Sequence, residues 1–332
     1  MKTSDLRQNL GLRRLRQNPW VRELTQEVRV STEQLIQPLF VVEEITEKQP
    51  LKGLTNVYRD TSDSLLSQIE KDLENGVRKF LLFGVPKKKG LHTFDSSFTS
   101  NQIHEVKKRF GSDLFLAVDV CLCSSTTHGQ CGILNDATDH VLNGETVDAL
   151  AKTAFAYAQA GADCVSPSDM MDGRIQAIRE RLDLGGLERT LIMSYSAKFN
   201  SRFYGPFRAA ADSAPKGEVR LKDRATYQID PARPRDALLS SLRDADEGAD
   251  ILMVKPGLPY LDVLSNLSQE IPLPWAVYEV SGEFAAIELL AEQGLTDGPK
   301  AHLECWTALV RAGAQMIITY GARAATEWMK KV

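Results

Sequence analysis

The chain has 332 residues, 43% hydrophobic and 25% charged, with a formal net charge of −4. This is globular composition with material for a large core, and it excludes a chain too polar to fold. It carries no strong basic field for nucleic acid and no apolar run near the ~20 residues of a membrane span, so neither partner is expected.

Met1–Trp20 is basic and lacks the apolar centre of a secretory signal. Leu6–Arg16 alternates Leu with Arg and Gln, and Pro19 and Trp20 follow. Too little apolar surface is present there for a separate core. Residues 1–35 are therefore expected to form an arm that packs on a neighbouring subunit, with a loose tail as the plain alternative.

Eight short apolar runs follow within residues 36–332 and at their edge: Leu35–Val42, Lys79–Val85, Phe115–Cys121, Cys164–Ser168, Leu191–Ser196, Ile251–Lys255, Ala276–Ser281 and Met316–Tyr320. Continuous rather than alternating hydrophobicity marks strands buried on both faces, as in a parallel sheet. Helical segments are expected at Ser64–Asn75, Thr146–Ala160, Asp236–Glu247 and Ala301–Ala312, each followed by a glycine. "AGAD" (160–163), "EGAD" (247–250) and "AGAQ" (312–315) repeat the same helix-to-strand joint. Eight such units predict an α/β fold, a (β/α)8 TIM barrel forming the catalytic domain; an open doubly wound sheet is the competing arrangement. The stretch between Ser196 and Asp236, rich in Pro, Arg and Lys, reads as a structureless lid over about 199–235.

In a parallel barrel, reactive groups project from the C-terminal strand ends. Here those ends carry Asp119 and a cysteine cluster, Ser168, Lys198, Lys255, Ser281 and Tyr320. Lys255 closes "ILMVK" and Lys198 follows "LIMSYSA". A lysine that only snorkels to the rim is the bland reading; the functional one is a pair of amine nucleophiles for ketones. Bringing a lysine from its usual pKa to about 7 needs roughly 4.6 kcal/mol against the charged form. Two ammonium groups ~6 Å apart at an effective dielectric of 20 supply roughly 2.8 kcal/mol, and burial must supply the rest.

Five cysteines, an odd number in a large chain, fit a reducing cytoplasm better than a disulfide framework. Cys121, Cys123 and Cys131 give Cys-x-Cys-x7-Cys, three thiols with no certain fourth ligand. That is the donor pattern of a catalytic zinc site with one open position, the alternative being three buried thiols without metal. His128 is read as supporting the thiols rather than as a fourth ligand, and Cys164 and Cys305 as core residues. The lid arginines Arg202, Arg208, Arg220 and Arg224 suit carboxylates, although a solvated basic loop would look the same.

"SYSAKFNSRFYGPFR" (194–208), "MVKPGLPYLD" (253–262), "PSDMMDGR" (167–174), "VYEVSGEF" (277–284) and "VDVCLCSSTTHGQCG" (118–132) resemble the motifs of the porphobilinogen synthase (5-aminolevulinate dehydratase) family, and the likeness runs from about Arg13 to the C-terminus. The resemblance implies condensation of two 5-aminolevulinate molecules to porphobilinogen, in tetrapyrrole (heme) biosynthesis. It implies a Schiff base on Lys255 for the substrate that becomes the propionate side and on Lys198 for the acetate side. Ser281 and Tyr320 would hold the first carboxylate, with Tyr204 and Phe207 packed nearby, and Arg208, Arg224 and Gln228 the second. Asp119 and Ser168 would hold the acetate-side amine or relay protons. Zinc would sit on Cys121, Cys123 and Cys131, and the assembly would be an octamer with each arm around a neighbour.

Two departures stand out. Gln130 occupies a position where many zinc members read "HGHCG", which bears on zinc affinity. Ser240 stands where members with an allosteric magnesium place Glu, so that magnesium site is expected to be absent or altered.

A lysine-dependent aldolase and a zinc-binding barrel used for sensing are the rival readings. The first leaves the second lysine and the thiols without a role; the second leaves the lysines without one.

Overall fold

The computed structural model describes residues 11–331, so the first ten residues of the expected arm lie outside the described residues. Among the described residues ten strands form: β1 Leu35–Val42, β2 Gln49–Pro50, β3 Tyr58–Asp60, β4 Lys79–Val85, β5 Phe115–Val120, β6 Cys164–Pro167, β7 Leu191–Lys198, β8 Ile251–Lys255, β9 Trp275–Tyr278 and β10 Met316–Ile318. β1 and β4 to β10 pair in parallel in chain order, and β10 closes on β1 through Leu35↔Ile317 and Ile36↔Ile318. Closure decides for the (β/α)8 barrel against the open sheet. β2 and β3 form a small antiparallel flap, with β3 added beside the C-terminal half of β1.

The strands are buried along almost their whole length because two cores press on them. Alternate residues such as Phe40, Phe83, Met193, Tyr195, Met253, Tyr278 and Tyr320 fill the barrel. Their neighbours Val41, Leu82, Ile192, Val254 and Val277 face an outer layer of helices. The four expected helices appear at Ser62–Glu74, Asn143–Gln159, Pro234–Asp246 and Gly298–Arg311. Ser97–Phe110, Arg174–Leu184, Leu261–Glu270 and Ser281–Glu292 fill the remaining gaps. Gly161 (φ 107°) and Gly248 (φ 99°) follow helix ends in the left-handed conformation that the repeated joint requires.

β7 is two residues longer than its apolar run suggests, and its pairing with β8 is irregular. Met193 and Ser194 face Ile251 and Leu252, but Ala197 and Lys198 face Val254 and Lys255. One extra residue is thus accommodated between Ser194 and Ala197, a β-bulge. Met193 and Tyr195 point into the barrel, so strict alternation would send Ala197 inward and Lys198 outward. Instead Ala197 packs in the outer layer and Lys198 turns in.

The lid is less structureless than expected. It opens with a 3-10 turn, Arg202–Tyr204, and a short helix, Gly205–Ala210, and its base returns to the barrel through a bridge between Phe199 and Ile229. The described part of the arm holds a 3-10 helix, Gly11–Arg16, and a short helix, Pro19–Leu24, capped by the Asn18 side chain. That short helix buries no residue, and Trp20 is 78% exposed.

Candidate active site

Lys198 and Lys255 are register partners on adjacent strands, and both are buried at the barrel mouth. Their amines lie 5.5 and 5.0 Å from the centre of the same ring, Tyr195. Lys255 Nζ also meets the rings of Tyr278 at 4.0 Å, Phe207 at 4.8 Å and Tyr204 at 5.4 Å. Aromatic faces favour a cation, by about 0.5–2 kcal/mol each. Burial opposes them and wins: it pushes the Lys255 amine well below its ordinary pKa, and the Lys198 charge pushes it further. Lys198 Nζ donates to the Ser168 carbonyl.

Asp119, at the end of β5, has an oxygen with no hydrogen-bond partner. Burial raises its pKa to about 6, although the Lys198 charge and the Ser168 hydroxyl pull the other way. It is therefore a carboxyl that can hold or release a proton near neutrality.

The three thiols converge beside this pair. All sulfurs of Cys121, Cys123 and Cys131 lie within 4.8 Å of one another. A tetrahedral zinc with Zn–S of about 2.3 Å places its sulfurs about 3.8 Å apart, so the donor set fits with small adjustment. Hydrogen bonds from Cys121 and Cys123 hold the Cys131 thiol well below its ordinary pKa, with help from the Arg224 charge. Cys121 is pushed up in exchange. His128 is not part of the cluster; its Nδ1 accepts from the Gln130 N–H and its buried Nε2 has no partner. Cys164 is fully buried, as expected of a core residue, whereas Cys305 is only half-buried.

The lid covers the mouth and sorts its arginines. Arg224 is buried and donates to the carbonyls of Gly129 (2.9 Å) and Ser213 (2.6 Å). Burial works against its charge, but the thiols Cys131 and Cys123 outweigh that and raise its pKa. Arg208 is half-buried, and burial together with Arg224 lowers its pKa. Arg224 Nε, Arg208 Nε and both amide ends of buried Gln228 have no protein partner. Buried polar groups without partners mark a place for a polar ligand. Arg202 and Arg220 instead face solvent. Close approach of the lid also explains Gly129: at φ 73° a Cβ there would sit 2.3 Å from the Ala214 carbonyl.

Across the mouth, Ser281 Oγ accepts from the Phe207 N–H at 3.0 Å, tying the lid helix to the start of the Ser281–Glu292 helix. The Tyr320 and Tyr278 hydroxyls lie 3.3 Å apart, and Tyr204 OH donates to the Phe199 carbonyl. The fourteen residues to which the resemblance assigns catalytic, substrate or metal roles thus belong to this one end of the barrel and its lid. Tyr195 and Tyr278, which complete the Lys255 pocket, were hidden inside the apolar runs. Glu283 was also unmarked; its carboxylate accepts from the N–H groups of Gly257 and Val280, linking the loops after Lys255 and before Ser281.

The family model described as delta-aminolevulinic acid dehydratase matches residues 10–328. The chain belongs to this family. Two dehydratases illustrate the likeness: that of Bacillus subtilis is 39% identical over 96% of this chain and 97% of its own length, and that of Methanothermus sociabilis 42% identical over 94% and 96%. A solved structure of the dehydratase (porphobilinogen synthase) from Toxoplasma gondii, in complex with the reaction product porphobilinogen, superimposes with a TM-score of 0.91. It is 40% identical and is covered over 96% of this chain and 91% of that one. The chain is therefore a hydro-lyase of the dehydratase family on a TIM barrel, with a thiol cluster able to hold a metal. Among the described residues no helix is long and apolar enough to cross a membrane.

Proposed function

We propose that the chain condenses two molecules of 5-aminolevulinate to porphobilinogen, with loss of two waters, through Schiff bases on Lys255 and Lys198. The observation that carries this reading is the pair of register-matched lysines in one aromatic, water-poor mouth beside three thiols. A neutral Lys255 amine attacks the ketone of the propionate-side substrate, and the four rings around it exclude the water that would reverse the step. Lys198 takes the acetate-side substrate.

Ser281 and Tyr320 would hold the propionate-side carboxylate, with Tyr204 and Phe207 closing around its chain. Arg208, Arg224 and Gln228 offer unpartnered donors to the acetate-side carboxylate, bidentately where the guanidinium fork allows. Asp119, with its pKa near 6, accepts a proton from the acetate-side amine or passes one on, beside Ser168.

Cys121, Cys123 and Cys131 would hold zinc, which when bound supplies Lewis-acid polarisation of the acetate-side carbonyl. The exposed apolar residues of the arm, Leu12, Trp20 and Leu24, support its packing on a neighbouring subunit within a homo-octamer. Five free cysteines support a reducing, cytoplasmic setting.

Pyrrole formation from 5-aminolevulinate, measured with and without zinc, tests the reading. Product that disappears on thiol-directed chelation and returns with zinc is expected; product that ignores zinc would remove the metal from it, and no product at all would remove the activity.

A further inference from the structure

The thiol trio is built from two stretches of one loop. Cys121 and Cys123 directly follow β5, where the Cys123 N–H donates to Cys121 Sγ and the next turn folds back on the Leu122 carbonyl. Cys131 lies at the end of a stretch that the Thr126 hydroxyl ties to that turn, donating to the Gln130 carbonyl at 2.9 Å, and that the lid holds at each of the three residues before Cys131. The Lys216 N–H donates to the His128 carbonyl (3.0 Å), and Arg224 to the Gly129 carbonyl (2.9 Å). The fully buried Gln130 side chain gives its Nε2 to the Leu221 carbonyl (2.8 Å) and takes the Tyr227 hydroxyl proton on Oε1 (2.7 Å). The same Tyr227 oxygen accepts the backbone N–H of Cys131 at 3.2 Å.

We propose that Gln130 and Tyr227 form a latch joining the lid to Cys131, so that closing the lid and seating the third thiol are one event. Both are positioning residues: neither touches the reacting atoms, and each acts by fixing where Cys131 stands. Tyr227 serves as donor to Gln130 and acceptor from Cys131 with a single hydroxyl, and Gln130 has no amide group left over. Removing the Tyr227 oxygen takes the partner from two groups, Gln130 Oε1 and the Cys131 N–H, on fully buried residues.

A metal held by the three thiols then cross-links the barrel rim to the lid. Linkage makes the effect reciprocal: whatever closes the lid tightens the metal, and the metal holds the lid shut by the same factor. Gln130, the residue that departs from "HGHCG", thereby acquires a role of its own. This inference rests on reading the trio as a metal centre.

The test reads the lid and the metal rather than turnover. Amide hydrogen exchange over residues 212–228 is followed in the zinc-loaded and zinc-stripped enzyme, and zinc release to a chromogenic chelator is timed. Stripping is expected to speed exchange across the lid. Tyr227→Phe, checked for parental thermal unfolding, is expected to release zinc about tenfold faster, the usual cost of a lost supporting contact. Adding Gln130→Ala to it should cost little more, because the two act in one network. Lid exchange that is indifferent to zinc, or a Tyr227→Phe enzyme that keeps zinc and lid protection at parental levels, would overturn the latch. A parent enzyme that takes up no zinc would overturn the metal reading and the latch together, and metal content distinguishes the two failures.

Discussion

Lys198 and Lys255 stand opposite each other on neighbouring strands because one extra residue in β7 turns Lys198 inward. The bulge therefore converts a strand end into half of a two-amine site. Deleting Ser196 should restore plain alternation and direct Lys198 into the outer layer. Pyrrole formation is expected to fall at least a hundredfold while far-ultraviolet circular dichroism keeps the barrel signature. Near-parental turnover in a folded deletion variant would show that the bulge does not orient the amine.

The charge of Lys198 helps to keep Lys255 neutral. A lysine with a depressed pKa attacks at pH values above it and loses its nucleophile as pH falls through it. Replacing Lys198 with Met removes the repelling charge, so the Lys255 pKa should rise. Borohydride trapping of 5-aminolevulinate on Lys255, followed against pH, should then show its acid limb displaced to higher pH; a displacement to lower pH would contradict the coupling.

Holding Lys255 in a dry pocket costs stability. Between its depressed folded pKa and about 10.4, the unfolded chain binds the extra proton, so unfolding free energy rises with pH across that window. Lys255→Met should accordingly unfold a few degrees higher than the parent at pH 7, by calorimetry, with the gain shrinking toward pH 10. A variant less stable than the parent at pH 7 would assign the pocket a need for the ammonium.

Ser240 is hydrogen-bonded by the Arg243 guanidinium at 3.2 Å. A hydroxyl shared with a fixed cation is a poor magnesium ligand compared with a carboxylate. Magnesium titration of the metal-stripped, zinc-reloaded enzyme should leave both the rate and the oligomeric state unchanged. Clear stimulation would place a magnesium site here despite the substitution.

Much of this was legible in the chain. Strands buried on both faces leave continuous apolar runs, so all eight barrel strands stood out, and strand ends carried the lysines and thiols into view. The bulge left no mark, because "LIMSYSAK" has no glycine or break and only pairing with β8 reveals the extra residue. The Lys255 pocket was only partly legible: the resemblance named Tyr204 and Phe207, but its four rings come from β7, the 3-10 turn, the lid helix and β9, and Tyr195 and Tyr278 carried no mark. The arginines were half legible. The lid sequence offered four, of which the resemblance singled out Arg208 and Arg224; in the fold these two are the more buried, while Arg202 and Arg220 face water. Gln130 and Tyr227, 97 residues apart, meet only once the lid has folded over.

The most direct test of the central claim is reduction with borohydride in the presence of 5-aminolevulinate, followed by peptide mass spectrometry. The account predicts a covalent adduct on Lys255, formed near neutral pH and absent from Lys255→Met. An enzyme that makes pyrrole yet traps no substrate on either Lys255 or Lys198 would contradict it.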